Sequence, residues 1–195
     1  AAVMPGKPAA AIGVGAPGPT DPYAGVILMG PNLPGWRNVT LRAILSEEFT
    51  VPVFVGNDAN LAGLAEHRFG AGQGVRHMVY ITVSTGIGSG VIIDDRMLLG
   101  RQGLAAEVGH MTIDAHTEQA GDNTVGTLEG LASGPNFARR AQAALRRGAQ
   151  SLAVEMAGGD IGAVSPRVLN QAARAGDAFA LGVYREVGYY LGVGI

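Results

Sequence analysis

The chain has 195 residues, of which 47% are hydrophobic and 15% charged, enough to bury a real core in one large or two small domains. A formal net charge of −2 leaves no electrostatic footprint for a nucleic-acid or membrane partner, and with no cysteine there is neither a disulfide framework nor a thiolate metal site. No eighteen-residue apolar run and no charged-then-apolar start occurs, so the composition reads as that of a soluble, cytoplasmic protein.

In chain order, the apolar run from Ala9 to Gly15 ends at Pro17-Gly18-Pro19 and predicts a buried strand entering a rigid loop. Asp21 to Gly25 reads as a turn, Val26 to Met29 as a strand, and Pro31 to Trp36 as a loop stiffened by two prolines. Leu41, Ile44, Leu45 and Phe49 recur at helical spacing, with Thr40 as the expected N-cap. Val51 to Val55 predicts a strand running into Gly56-Asn57-Asp58, followed by a helix over 59–69. Met78 to Val83 and Val91 to Ile93 read as two strands joined by the glycine-rich segment 84–90, a hairpin pattern and not the strand-to-helix pattern of a Walker loop. Asp94-Asp95-Arg96 is a further turn and 100–130 is mostly loop. Helices are predicted over 135–147, over 166–175 after Ser165, and from Ala178 onward after Asp177. The last helix is in full amphipathic stride at Ile195 and the beginning is equally abrupt, so both ends of a longer chain are expected to be missing.

Four groups carry chemistry. Asp58 follows a predicted strand, where ligands of open α/β folds bind, and a carboxylate beside the Asn57 amide suits a general base; it equally suits an N-cap, and spacing leaves both readings open. In the 84–90 loop, successive N–H groups could turn toward one point as an anion-binding nest, with Thr85 and Ser89 adding hydroxyls, or the segment could be a plain hairpin. Glu107, His110 and Glu129 are the residue types that read vicinal hydroxyls, or else two solvated carboxylates and a core histidine. Arg139, Arg140, Arg146 and Arg147 are expected to decorate the end of a helix.

Six segments stand in an order that resembles the ROK family (repressors, open reading frames and sugar kinases), especially its bacterial glucokinases: residues 13–19, 31–36, Asn57-Asp58-Ala59-Asn60, Thr85 to Gly90, Glu107-Val108-Gly109-His110-Met111, and Leu128-Glu129 with Ala132-Ser133-Gly134. The resemblance covers nearly the whole chain. It implies an α/β, actin/hexokinase-like (ribonuclease H-like) fold of two domains with the active site in the cleft between them. Residues 1–57 would belong to the smaller domain and 58–195 to the larger one with its C-terminal helices. It implies Asp58 as the base that takes the proton of a hexose 6-hydroxyl, and Asn32, Asn57, Glu107, His110 and Glu129 as sugar ligands. The donor phosphates would lie on Thr85, Gly86 and Gly88, and the cofactors would be ATP and Mg²⁺.

Two departures from the family pattern matter. An early phosphate loop and a late adenosine-binding Gly-Gly segment are not present, as expected of a chain cut at both ends. Many members also hold structural zinc through the equivalent of His110 and three cysteines, where this chain reads Ala120, Asp122 and Thr127, so no structural zinc is expected and the 115–127 loop should be mobile. The expected function is that of an ATP- or polyphosphate-dependent hexose kinase acting on glucose, the 195-residue piece alone being inactive. The alternative is a sugar-responsive repressor of which this is the inducer-binding region. Expected partners are the hexose, the nucleotide and further copies of the chain, with no membrane, and no nucleic acid unless a helix-turn-helix precedes Ala1.

Overall fold

The computed structural model describes residues 9–30, 33–116 and 126–195. The chain divides into two compact units. One holds the residues up to Ile81 together with Ser89–Ala106; the other holds Thr82–Gly88 with Glu107–Ile195.

In the first unit, strands β1 (Ile12–Ala16), β2 (Thr20–Asp21), β3 (Val26–Met29) and β4 (Arg37–Val39) precede helix α1 (Leu41–Glu48), strand β5 (Val53–Asn57) and helix α2 (Asp58–Phe69). β1 and β5 pair in parallel, Ile12 opposite Val53 and Ala16 opposite Asn57, while β2, β3 and β4 form an antiparallel sheet. Alternation in β5 buries Val53 and Val55 and leaves Phe54 exposed. Arg42 fastens α1 to its surroundings, its guanidinium donating to the carbonyls of Val53 (3.1 Å), Pro22 (2.8 Å) and Tyr23 (2.6 Å). Thr40 precedes α1 as expected, but its hydroxyl makes no capping bond.

Strands β6 (Met78–Val83), β7 (Ile87–Ile93) and β8 (Arg96–Met97) form a sheet in that order, and the chain leaves the first unit within β6 and returns within β7. Helix α2 lies hard against β7. A Cβ on Gly63 would stand 3.2 Å from the Gly90 Cα, and one on Gly90 would stand 3.3 Å from the Gly63 Cα and 3.2 Å from the Ala59 carbonyl oxygen. α2 belongs with β1 and β5 in the first unit, whereas the expected division placed it in the larger domain of the whole fold; the 57/58 division stands as a proposal for that whole.

The second unit is helical: α3 (Leu128–Ala132), α4 (Gly134–Arg146), α5 (Leu152–Met156), α6 (Pro166–Arg174) and α7 (Ala178–Gly194). Its core is built from Leu128, Leu131, Phe137, Leu145, Leu169 and Val187. The caps read from sequence at Ser165 and Asp177 are made: Ser165 Oγ accepts from the Val168 N–H, and Asp177 Oδ1 from the Ala180 N–H at 2.7 Å. Asp177 also takes the Ser151 hydroxyl and the Leu152 N–H, joining α5 to α7. Burial pushes its carboxyl up, but these bonds outweigh that and hold it below the ordinary carboxylate value. β4, α3 and α5 are elements the sequence pattern does not announce. Among the described residues no helix is long and apolar enough to cross a membrane.

Candidate functional site

In the first unit the strand-to-helix junction at 57/58 sorts out which residue caps. Asn57 is the N-cap of α2: its Oδ1 accepts from the N–H groups of Ala59 (2.9 Å) and Asn60 (3.1 Å), and its Nδ2 donates to the Gly18 carbonyl at 3.2 Å. Asp58 is the first residue inside the helix, exposed, with Oδ1 accepting only from the adjacent Ala59 N–H. The cap reading of Asp58 is therefore corrected: the residue before it supplies the cap. Asn57, expected as a sugar ligand, has its oxygen engaged by the helix and one amide hydrogen engaged by Gly18. Asn32 lies outside the described residues.

The second unit collects most of the remaining candidates around Ile87. The expected seven-residue glycine loop is shorter than read: β7 begins at Ile87, leaving a three-residue turn of Ser84, Thr85 and Gly86, closed by a 2.8 Å bond from the Ser84 N–H to the Gly86 carbonyl. Gly88 is consequently a strand residue, and a nest spanning 84–90 is not formed. The Ser89 side chain is buried and bonded to the Ala106 carbonyl, so it presents no hydroxyl to a ligand. Thr85 is exposed at the tip of the turn.

Glu129 stands in the first turn of α3, whose N-cap is Thr127, with Oγ1 accepting from the Gly130 N–H at 3.1 Å. From there the Glu129 carboxylate reaches β7, its Oε2 accepting the Ile87 N–H at 2.8 Å. On the carbonyl side of Ile87 lies a single 3₁₀ turn, Val108–His110, and a Cβ on its central residue, Gly109, would fall 2.1 Å from the Ile87 oxygen. Only a glycine lets the backbones approach so closely. Glu107 and His110 flank that glycine and are both exposed, so His110 is not a core histidine. The segment after His110 is hydrogen-bonded to the start of α3, with Leu128 N–H donating to the Met111 carbonyl at 2.9 Å and a bridge between Thr112 and Thr127. Glu107, His110 and Glu129 are thus carried on adjoining segments pinned to the strand that leaves the turn.

Beside the turn lies a cavity of about 850 Å³ that no motif announced. Ser84 and Thr85 of the turn line it, together with Gly134 and Pro135 at the start of α4 and with Pro166 and Tyr184. Its lining is largely apolar, which is why sequence alone could not single it out. Gly134 is seated by its N–H bond to the Ser84 carbonyl (2.9 Å). Half of the arginine cluster behaves as expected, Arg146 in the last turn of α4 and Arg147 at its C-cap. The other half does not decorate a helix end. Arg139 donates to Asn136, and Arg140 donates to the Leu131 carbonyl, lies 3.6 Å from Glu186 and packs over the Tyr190 ring. Thr127, one of the three positions that the resemblance sets against zinc-binding cysteines, is a buried helix cap, while Ala120 and Asp122 lie outside the described residues, as does most of the 115–127 loop.

The model of the ROK family matches residues 4–195. The chain belongs to the ROK family. It is 37% identical to a glucokinase from Thermotoga maritima over 92% of its length and 56% of that protein's. It is also 32% identical to a xylose repressor from Caldicellulosiruptor bescii, over 94% of this chain and 45% of the repressor. Among solved structures, a ROK family glucokinase from Streptomyces griseus in complex with glucose and AMPPNP superposes with a TM-score of 0.82 at 34% identity, covering 97% of this chain and 61% of that one. This ROK chain is accordingly an α/β chain of the actin/hexokinase-like fold, of which it makes up a part. It spans about half the length of the curated relatives it matches.

Proposed function

We propose that this chain is part of a ROK sugar kinase that transfers the γ-phosphoryl group of ATP to the 6-hydroxyl of a hexose, glucose foremost, with Asp58 as the general base. The observation that carries the reading is the division of labour at 57/58: Asn57 satisfies the N-terminus of α2, and the exposed Asp58 carboxylate keeps lone pairs for a proton. Glu107, His110 and Glu129 would read the sugar hydroxyls, with Asn32 and Asn57 supplying further contacts. The glucose and AMPPNP held by the Streptomyces griseus relative support hexose and nucleotide as the ligand pair.

The donor nucleotide fits the cavity beside the Ser84–Gly86 turn. Its volume of about 850 Å³ and apolar lining suit a base and ribose, and the exposed Thr85 of that lining would meet the phosphates. No group of three or more His, Asp or Glu side chains among the described residues could hold a metal ion by itself. A Mg²⁺ would therefore ride on the donor phosphates, as this ion does with few protein ligands, and would supply neutralisation of their charge. The residues' own contributions are to bind, to orient the hydroxyl and to accept its proton at Asp58.

The deciding test is a phosphorylation assay of the whole protein with glucose, mannose, fructose and N-acetylmannosamine against ATP and polyphosphate. Turnover that collapses in Asp58→Asn with sugar binding retained supports the reading; no turnover with any pair refutes it. The match to a xylose repressor over 94% of the chain favours one second reading, an inducer-binding region of a repressor. That reading requires sugar binding without turnover and sugar-dependent release of DNA by the whole protein.

A further inference from the structure

Glu129 is the point at which the proposed acceptor and donor groups touch. Its Oε2 holds the Ile87 N–H at 2.8 Å, a charge-assisted bond at the foot of the Ser84–Gly86 turn. The turn is seated against that same oxygen, because a Cβ on Gly86 would lie 2.5 Å from it. Oε1 takes no hydrogen bond among the described residues. The backbone of Glu129 is itself fixed: its carbonyl accepts from Asn136 Nδ2 at 2.9 Å, and the same amide donates to Ser133 Oγ at 2.8 Å. A carboxylate with an anchored backbone and one oxygen committed to β7 cannot shift toward a ligand without pulling on Ile87 and the turn.

We propose that Glu129 is a strut coupling the two substrates: a sugar hydroxyl bound to Oε1 fixes the Thr85–Gly86 turn through Oε2 and the Ile87 N–H, so that hexose and nucleotide bind cooperatively. The inference rests on the kinase reading above. Because coupling between two sites is reciprocal, hexose must tighten nucleotide binding by the factor by which nucleotide tightens hexose binding.

The test is calorimetric titration of the whole protein with glucose and with the β,γ-imido analogue of ATP, each alone and with the other saturating. The expected coupling is about fivefold or more, the lower end of usual coupling between sites. Gly86→Ala alters only the donor turn yet pushes on Oε2, and in a protein that keeps its native circular dichroism it should weaken glucose binding about fivefold with no nucleotide present. Should that variant fail to fold, Glu129→Ala gives the reciprocal reading: a similar loss of analogue affinity with no sugar present. A wild-type enzyme that phosphorylates glucose but shows a coupling factor of one overturns the strut alone. So does a folded Gly86→Ala protein with unchanged glucose affinity, or a Glu129→Ala protein with unchanged analogue affinity. A wild-type protein that neither binds nor phosphorylates any hexose overturns the kinase reading, and the strut with it.

Discussion

Two helix starts in this molecule carry a similar local pattern, a polar cap with a carboxylate in the first turn, yet their carboxylates end in different conditions. At α2, Asn57 takes the free N–H groups and Asp58 is left exposed at the positive end of the helix. At α3, Thr127 does the capping and Glu129 uses one oxygen to hold an N–H 42 residues earlier in the chain. A capping neighbour is what frees a carboxylate from its helix. Whether it then stays available for chemistry or becomes a tertiary tie depends on side-chain reach and on which strand passes by. α7 supplies the third variant, in which the carboxylate of Asp177 is itself the cap.

The comparison can be broken most sharply at Asp58. Asp58→Asn should lower kcat of the whole enzyme by about 10²-fold or more, the scale of a lost positioned base. Its melting temperature should stay near wild type, since Asn57 remains the cap; steady-state kinetics and thermal melts check both, and a large drop in stability would mean that Asp58 serves the helix after all. Next is Gly109→Ala, which forces a methyl onto the Ile87 carbonyl and should displace the very residue Glu129 holds. A destabilisation of roughly 1–3 kcal/mol by denaturant titration is expected from such overpacking. Asn57→Ala should cost about 1 kcal/mol, the ordinary loss of an N-cap, and should lower kcat only as far as the first turn of α2 loosens. The smallest effect concerns acid. Asp177 has a folded pKa held below its unfolded one, so it contributes stability that is fully present above the unfolded value near 3.8 and is lost as pH falls through the folded value. Asp177→Asn should flatten the acid limb of the stability curve, and an unchanged limb would show that the bonds at this cap carry no linkage.

The sequence made some of this legible and hid the rest for physical reasons. Ser165 and Asp177 could be read as caps because a cap acts within three residues of itself, and β1, β3, β5 and β6 because short runs rich in β-branched and apolar residues have few alternatives. The glycine at 90 misleads, because a glycine in such a string reads as loop when its cause is a helix lying against a strand, and that neighbour is 27 residues away at Gly63. Asp58 was correctly placed at a strand end, but nothing local told whether it or Asn57 would cap, since both residue types cap well. The tie from Glu129 to Ile87 was invisible, being a contact between segments that only folding brings together. The cavity beside Thr85 was invisible as well, because apolar walls contributed by α4, α6 and α7 have no residue signature.

The contact between Gly63 and Gly90 has a consequence for how this sequence can drift. When two side chains crowd each other, a larger residue on one side is ordinarily excused by a smaller one on the other. Here both partners are already at the lower limit of size, so neither can make room for the other. A gain of even one carbon at either position must be absorbed by moving helix α2 off strand β7, the helix whose first turn carries Asp58. In a pairwise mutational library the two positions should therefore show losses without any mutual rescue, behaving as a single locked site although 27 residues separate them.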